Sequence, residues 1–154
     1  MQKTTTLNNS RGMTIFEILT VVVIITILVM VVMPNFVRSK DRAMDSSAKT
    51  NSRTLQMMLE TYYIDYKIYP ESLSVLGYES TAKKYNKIIA NPYTAKKGLV
   101  ESGQWAIDYL GPTGPAGLVA YQPILSNTKY YIFVYNAKGG LLQYKGKPYR
   151  KTNG

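Results

Sequence analysis

Between Glu17 and Arg38 no residue carries a charge, and residues 18–33 read ILTVVVIITILVMVVM, with Thr20 and Thr26 as the polar interruptions. Extended to Val37, the run has 20 residues, about what a helix needs to cross a hydrocarbon core of ~30 Å. A buried core helix would show polar positions at 3.6-residue spacing, whereas this stretch is apolar all round. Its β-branched richness would suit a strand, but the run is too long for one. The pattern predicts a transmembrane helix. A cleavable secretory signal has a shorter apolar region followed by small residues around the cut; here Pro34-Asn35-Phe36-Val37-Arg38 follows instead. Lys3 and Arg11 precede the run and Arg38, Lys40 and Arg42 follow it, so flanking charge does not orient it.

From Phe36 the periodicity changes. Phe36, Lys40, Met44, Ala48, Asn51, Leu55, Met58, Leu59, Tyr62 and Tyr66 recur at three- and four-residue steps, with polar residues between them. This predicts an amphipathic helix whose stripe is available for a partner sheet. Arg38, Lys40, Asp41, Arg42, Asp45 and Lys49 form its mixed charged face, solvated by default, although in a packed filament it would meet neighbouring subunits. One helix from Thr14 to about Tyr66 would be ~80 Å long, with Tyr69-Pro70 and then Gly77 as stops. Pro34 has no N–H and clashes with the carbonyl four residues earlier, so it kinks or loosens this helix. The competing reading, a helix end at the membrane boundary, fits less well, because the apolar pattern continues on both sides.

The stretch 83–117 is rich in breakers: Asn91-Pro92-Tyr93, Lys96-Lys97-Gly98 and the segment 111–117, GPTGPAG. The last contains two Gly-X-Y triplets, but a triple helix needs a long repeat, so a loop is expected. Residues 105–109 (WAIDY) suggest a short strand. Residues 118–122 and 129–135 are rich in branched and aromatic side chains, 136–140 make a turn, and 141–144 pair back. An antiparallel meander over about 118–145 follows, its apolar face covered by the long helix: an α+β fold.

Composition narrows the chemistry. In 154 residues, Lys and Arg number 19 against 9 Asp and Glu, a formal +10, with no histidine and no cysteine. Disulfides, thiolate zinc sites and cysteine nucleophiles are excluded, and the usual general base is missing. Ser72, Ser74 and Lys84 show no nucleophile–base spacing, so no catalytic residue is assigned and no enzyme is expected. No acidic residue follows Asp108. Calcium wants several oxygen ligands, so no C-terminal calcium site, and no other metal or cofactor, is expected. The basic tail, Lys129, Lys138, Lys145, Lys147, Arg150 and Lys151, is interleaved with Tyr121, Tyr130, Tyr131, Tyr135, Tyr144 and Tyr149. Such a pattern could bind nucleic acid by charge and stacking, although basic, tyrosine-rich strands are more often a packed sheet with a solvated edge.

Glu17 stands out at the entrance of the apolar run. A carboxylate deep in a bilayer costs about 2.5–3.5 kcal/mol and usually has a specific partner; alternatively it marks a helix start at the interface, favoured by the helix dipole. Arg11-Gly12-Met13-Thr14-Ile15-Phe16-Glu17, followed by the apolar run and Pro34, closely resembles the class III leader of type IV pilins and type II secretion pseudopilins. The segment 59–76, with its tyrosine-rich helix exit and Tyr69-Pro70, is similar to that of major pseudopilins. Met13 replaces the usual Phe, and Thr26 stands where many members carry a helix-loosening Gly.

The resemblance implies a pilin-like fold and a leader over 1–12, cut between Gly12 and Met13 by a prepilin peptidase, with N-methylation of Met13. It implies a transmembrane and assembly half over 13–37 and a head over 38–154. The prepilin would be single-pass in the cytoplasmic membrane, leader inside and head outside, before joining a periplasmic or extracellular filament. Expected partners are other copies of the chain, the peptidase, a platform protein, an assembly ATPase and minor pilins. The physical logic is that cleavage creates an α-amine four residues before Glu17. In a stack of parallel helices, the amine of an incoming subunit lies against a neighbour's Glu17 and fixes one register, since each charge alone is costly in an apolar surround. A surface pilus and a secretion pseudopilus both remain open. A tethered adhesive or DNA-binding module would need a more elaborate head than this one.

Overall fold

The computed structural model describes residues 12–83, 89–99 and 104–153. The chain divides into two compact units, Met1–Ser39 and Lys40–Gly154. Helix α1 spans Ile15–Tyr66 and continues through Pro34. Its terminus is a left-handed residue, Lys67 at φ 61°, whose N–H donates to the Tyr63 carbonyl at 2.8 Å. The helix therefore ends before Tyr69-Pro70 is reached, with the chain already turned out of the helical basin.

In the second unit the predicted stripe is the buried one. Ala48, Leu55, Met58, Leu59 and Tyr62 of α1 are buried together with Ser52, which the apolar pattern omits. Ser52 fits because its hydroxyl donates to the Lys49 carbonyl at 2.7 Å, so no polar group is stranded. Phe36 and Lys40 are exposed, and Tyr66 lies at the surface with its hydroxyl on Glu79.

A four-stranded sheet runs in the order β1-β2-β3-β6, from β1 (Ala106–Asp108), β2 (Val119–Ile124), β3 (Lys129–Val134) and β6 (Arg150–Lys151). β3 alternates as a half-buried strand should: Tyr130, Ile132 and Val134 point into the core. That core joins them to Leu55, Leu59, Trp105, Val119 and Tyr121. On the other face, Leu118, Ala120 and Tyr135 are buried with Ile107 and Phe133 packed against them. The 111–117 segment is the expected loop, pinned by Tyr135, whose hydroxyl donates to the Gly111 carbonyl at 2.8 Å. The chain is thus α+β, a long N-terminal helix packed on a small, mainly antiparallel sheet.

Three expectations are corrected. First, β1 pairs with β2 in parallel, Ala106 opposite Val119, so the sheet is not purely an antiparallel meander; the long loop between the two strands lets the chain return in the same direction. Second, residues 141–144 pair back on β3 only through Leu141 and Leu142. The chain then leaves as a separate ribbon of β4 (Gln143–Tyr144) and β5 (Lys147–Pro148), and β6 takes the place beside β3. Third, the segment after Tyr69-Pro70 is a helix, α2 (Leu73–Ala82), with Gly77 inside it. Its N-cap Ser72 makes no side-chain cap bond. The Leu73 N–H instead donates to Asp108 Oδ1 at 2.9 Å, so the cap comes from β1.

Candidate processing and assembly site

The first turn of α1 contains a closed hydrogen-bonding unit. Thr14 precedes the helix as its N-cap and Glu17 is the third helical residue. The Thr14 N–H and hydroxyl both donate to Glu17 Oε2, at 2.8 and 2.9 Å, and the Glu17 N–H donates to Thr14 Oγ1 at 3.2 Å. This is the capping box of Thr-x-x-Glu spacing, in which two otherwise orphaned N–H groups are satisfied reciprocally. It fixes the carboxylate at the positive end of the helix dipole. Both bonds fall on Oε2; Oε1 has no hydrogen-bond partner among the described residues.

Gly12 and Met13 lie immediately outside the helix, with no regular secondary structure and both exposed. Residues 1–11 of the leader are outside the described residues. The Gly12–Met13 bond therefore sits in non-helical, accessible chain one residue before the cap. Non-helical, accessible backbone of this kind is what a peptidase needs to engage a scissile bond.

Beyond the cap, every residue from Ile15 to Lys40 is exposed. Ile18, Val21, Val22, Ile24, Ile25 and Leu28 all leave about half of their side-chain surface uncovered. Thr20 and Thr26 spend their hydroxyls on the Phe16 and Val22 carbonyls, at 2.9 and 2.8 Å. The apolar cylinder thus offers lipid no unsatisfied hydroxyl. Pro34 removes the N–H that would bond the Met30 carbonyl, and it shares one helix face with Thr26, Met30 and Met33. Charge and surface here suit association with other apolar helices rather than chemistry on a substrate.

Gly12 and Met13 lie just ahead of the helix, Glu17 in its first turn and Pro34 well along it. The motif spacing points to Glu17; the same Thr-x-x-Glu spacing is the signal that also identifies Thr14. Of the residues weighed for nucleophilic chemistry, Ser72 caps α2 and Ser74 is exposed in its first turn, while Lys84 is outside the described residues.

The head carries two further polar clasps on α1. Glu60 accepts from Tyr130 at 2.7 Å and from Tyr69 at 3.1 Å; burial, and then this carboxylate, push the Tyr69 phenol up to about 12 and raise that of Tyr130. Asp45 accepts from the Tyr93 hydroxyl at 2.8 Å, which takes part of the predicted charged face out of free solution. Burial first, and Asp45 second, raise the Tyr93 pKa.

The chain is similar to "Type II secretion system core protein G" of Escherichia coli (strain K12), 29% identical over 133 residues that cover 78% of this chain and 92% of that protein. It is also similar to "Type IV major pilin protein PilA" of Myxococcus xanthus, 32% identical over 69 residues, covering 45% of this chain and 31% of that protein. A core protein G of Vibrio cholerae is 34% identical over 64 residues, 42% of this chain and 44% of that protein. The chain thus spans nearly all of the first relative and less than half of the other two. No protein-family model matches the chain, and no solved structure matches it.

Proposed function

We propose that the chain is a prepilin of the type IV pilin and type II secretion pseudopilin family, cut between Gly12 and Met13, N-methylated at Met13 and polymerised through its N-terminal helix. It is a structural subunit of a filament, held in the membrane before assembly by the apolar helix. The observation that supports this reading best is the combination at the start of α1: an uncovered apolar cylinder headed by a carboxylate that Thr14 holds by one oxygen.

After cleavage the Met13 amine lies at the end of the chain. An amine arriving from a neighbouring copy meets Glu17 Oε1, while Oε2 stays on Thr14. Burying the resulting ion pair among apolar helices is tolerable because both charges are compensated, and leaving either one unpaired costs about 3–5 kcal/mol. Only one axial offset of two parallel helices satisfies both partners, so the pair sets the register of the polymer. A prepilin peptidase, a platform protein, an assembly ATPase and minor pilins are the partners this reading requires. The prepilin keeps its leader in the cytoplasm and its head outside.

A narrower reading, the major pseudopilin of a type II secretion system acting in protein export, is favoured by one observation. The relative matched along nearly its whole length is a type II secretion protein, whereas the pilin match is confined to a short stretch.

The test is a Glu17→Leu strain examined by electron microscopy of sheared cell surfaces, with mass determination of the N-terminus. The variant should insert into the membrane but form no filaments, and wild-type fibres should contain chains beginning with methylated Met13. Normal fibres from Glu17→Leu, or fibres built of chains that still carry residues 1–12, would overturn the proposal.

A further inference from the structure

A groove of about 780 Å³ runs along one flank of α1 from Arg53 to Ile64, and its other wall includes Thr152 and Asn153, the residues that follow β6. β6 is the outermost strand of the four-stranded sheet. A helix flank beside the end of an edge strand is an arrangement in which extended peptides dock. The lining divides into an apolar part and a cationic part. Met57 and Ile64 are 53% and 67% exposed on the helix flank. Arg53 is exposed and makes no hydrogen bond or ion pair with any described residue. Lys151 of β6 reaches across to the same helix and donates to the neutral amide oxygen of Gln56 at 2.7 Å. Burial first, and the Arg53 charge second, lower its pKa. Two cations thus share one neighbourhood with no carboxylate between them. Glu60, further along the groove, gives Oε1 to Tyr130 and Oε2 to Tyr69 and forms no ion pair among the described residues. A carboxylate brought from outside would remove the repulsion between Arg53 and Lys151.

We propose that this groove binds an extended segment of a different protein, with a carboxylate on Arg53 and Lys151 and apolar side chains over Met57 and Ile64. Geometry sets the length. From Arg53 to Ile64 the helix rises ~16 Å, which about five residues of extended chain span at ~3.3 Å each. Alternate side chains of such a segment point to one side, so the pattern is an acid followed by apolar residues at every second position. Glu60 sets the charge. It lies ~10 Å beyond Arg53 along the helix, where a second negative group on the ligand would meet repulsion. The groove therefore selects a single carboxylate with an uncharged continuation, and a polyanion is disfavoured. Each copy of this chain carries a formal +10, so copies repel one another and the occupant is a partner of opposite charge. The groove belongs wholly to the second unit, Lys40–Gly154, and is formed in the unassembled chain, independent of cleavage at Gly12.

The test holds the full chain in nanodiscs of neutral phosphatidylcholine on a biosensor surface. The probe is the acetylated, amidated peptide Asp-Ser-Leu-Ser-Leu, with Lys-Ser-Leu-Ser-Leu and Asp-Ser-Ser-Ser-Ser as controls. The first should bind saturably and more weakly as salt is raised, and both controls should bind at least several-fold less well. Arg53→Gln should weaken the probe about tenfold, and Met57→Ser about threefold. The charge-matched Lys138→Gln, exposed on the turn after β3, should leave binding unchanged. Fluorescence of the buried Trp105 verifies that the variants fold. No saturable binding of the probe up to ~1 mM, equal binding of the lysine peptide, or equal weakening by Lys138→Gln overturns the proposal. So does an Arg53→Gln chain that still binds the probe as wild type does but forms no filaments in cells, a result that would assign the groove to a second copy.

Discussion

Removing one hydroxyl from the Glu60 clasp should loosen the head measurably while leaving its packing in place. Tyr130 is fully buried, and its hydroxyl reaches Glu60 Oε1 at 2.7 Å, the shorter of the two bonds that this carboxylate accepts. In Tyr130→Phe the ring keeps its edge-on contact with Tyr69, centroids 4.8 Å apart at 76°, so the cost is that of the bond. A hydrogen bond to a charged group is worth about 1.5–3 kcal/mol. Glu60 is half-buried and lines a groove shared with Arg53, Gln56 and Thr61. Water can therefore replace the lost donor, which places the cost near the lower figure, about 1.5 kcal/mol.

For the second unit, Lys40–Gly154, an unfolding entropy of roughly 2.1 cal/mol/K per residue converts this to a fall in Tm of about 6 °C. Trp105 is the chain's single tryptophan and is fully buried in the same core, so its fluorescence during thermal or urea unfolding in neutral detergent reports on the head alone. The reasoning is tested by a cycle with Glu60→Ala, which removes the acceptor. If Tyr130→Phe costs the same in the Glu60→Ala variant as beside the carboxylate, within the ~0.3–0.5 kcal/mol expected of independent sites, the stabilisation does not reside in this contact.

The capping box gives a second prediction: Thr14→Val should cost the helix start about 1 kcal/mol and lower the filament fraction, whereas Thr14→Ser should restore it; quantitative blotting of sheared fibres against the membrane pool decides. Gly117 has φ +73°, and a Cβ there would lie 2.5 Å from Tyr93 Cδ2 and 2.8 Å from Asn91 Oδ1. Gly117→Ala should therefore destabilise the head by roughly 2 kcal/mol or more, against about 1 for Gly146→Ala, which has a similar φ but open space around it; urea midpoints compare the two. Asp108→Ala removes the acceptor of the Leu73 N–H and should cost about 1 kcal/mol, visible in the same assay. Alkali should unfold the head. The Tyr69 phenol is raised from 10.0 to about 12, so its protonated form is favoured by the native state; this contribution is complete below pH 10 and is lost as pH rises towards 12. The phenolate absorbance that is lost in Tyr69→Phe should rise together with the change in Trp105 emission, and its appearance in a still-folded head near pH 10 would contradict the assignment.

The elements that could be read from the chain alone are those whose cause is local. The uncharged run after Glu17 specifies an apolar helix wherever it is placed, because its length and its lack of a polar face suit no other element. The three- and four-residue recurrence of Ala48, Leu55, Met58, Leu59 and Tyr62 fixed which side of α1 is buried, and the branched and aromatic run 129–135 marked β3 as a strand, while its two faces emerged only in the structure. The Thr14–Glu17 box is likewise a matter of spacing within one turn. What needed the tertiary structure depends on groups distant in sequence. α2 has no capping side chain of its own and borrows Asp108 from 35 residues away. The parallel pairing of β1 with β2, and the seating of β6 rather than 141–144 beside β3, turn on which backbone donors are left open after the hairpin closes. The clustering of Lys49 with Tyr144, Lys145 and Tyr149 joins a helix to a ribbon almost a hundred residues later. Periodicity records which face a residue occupies; which partner meets that face is settled by chain closure and packing.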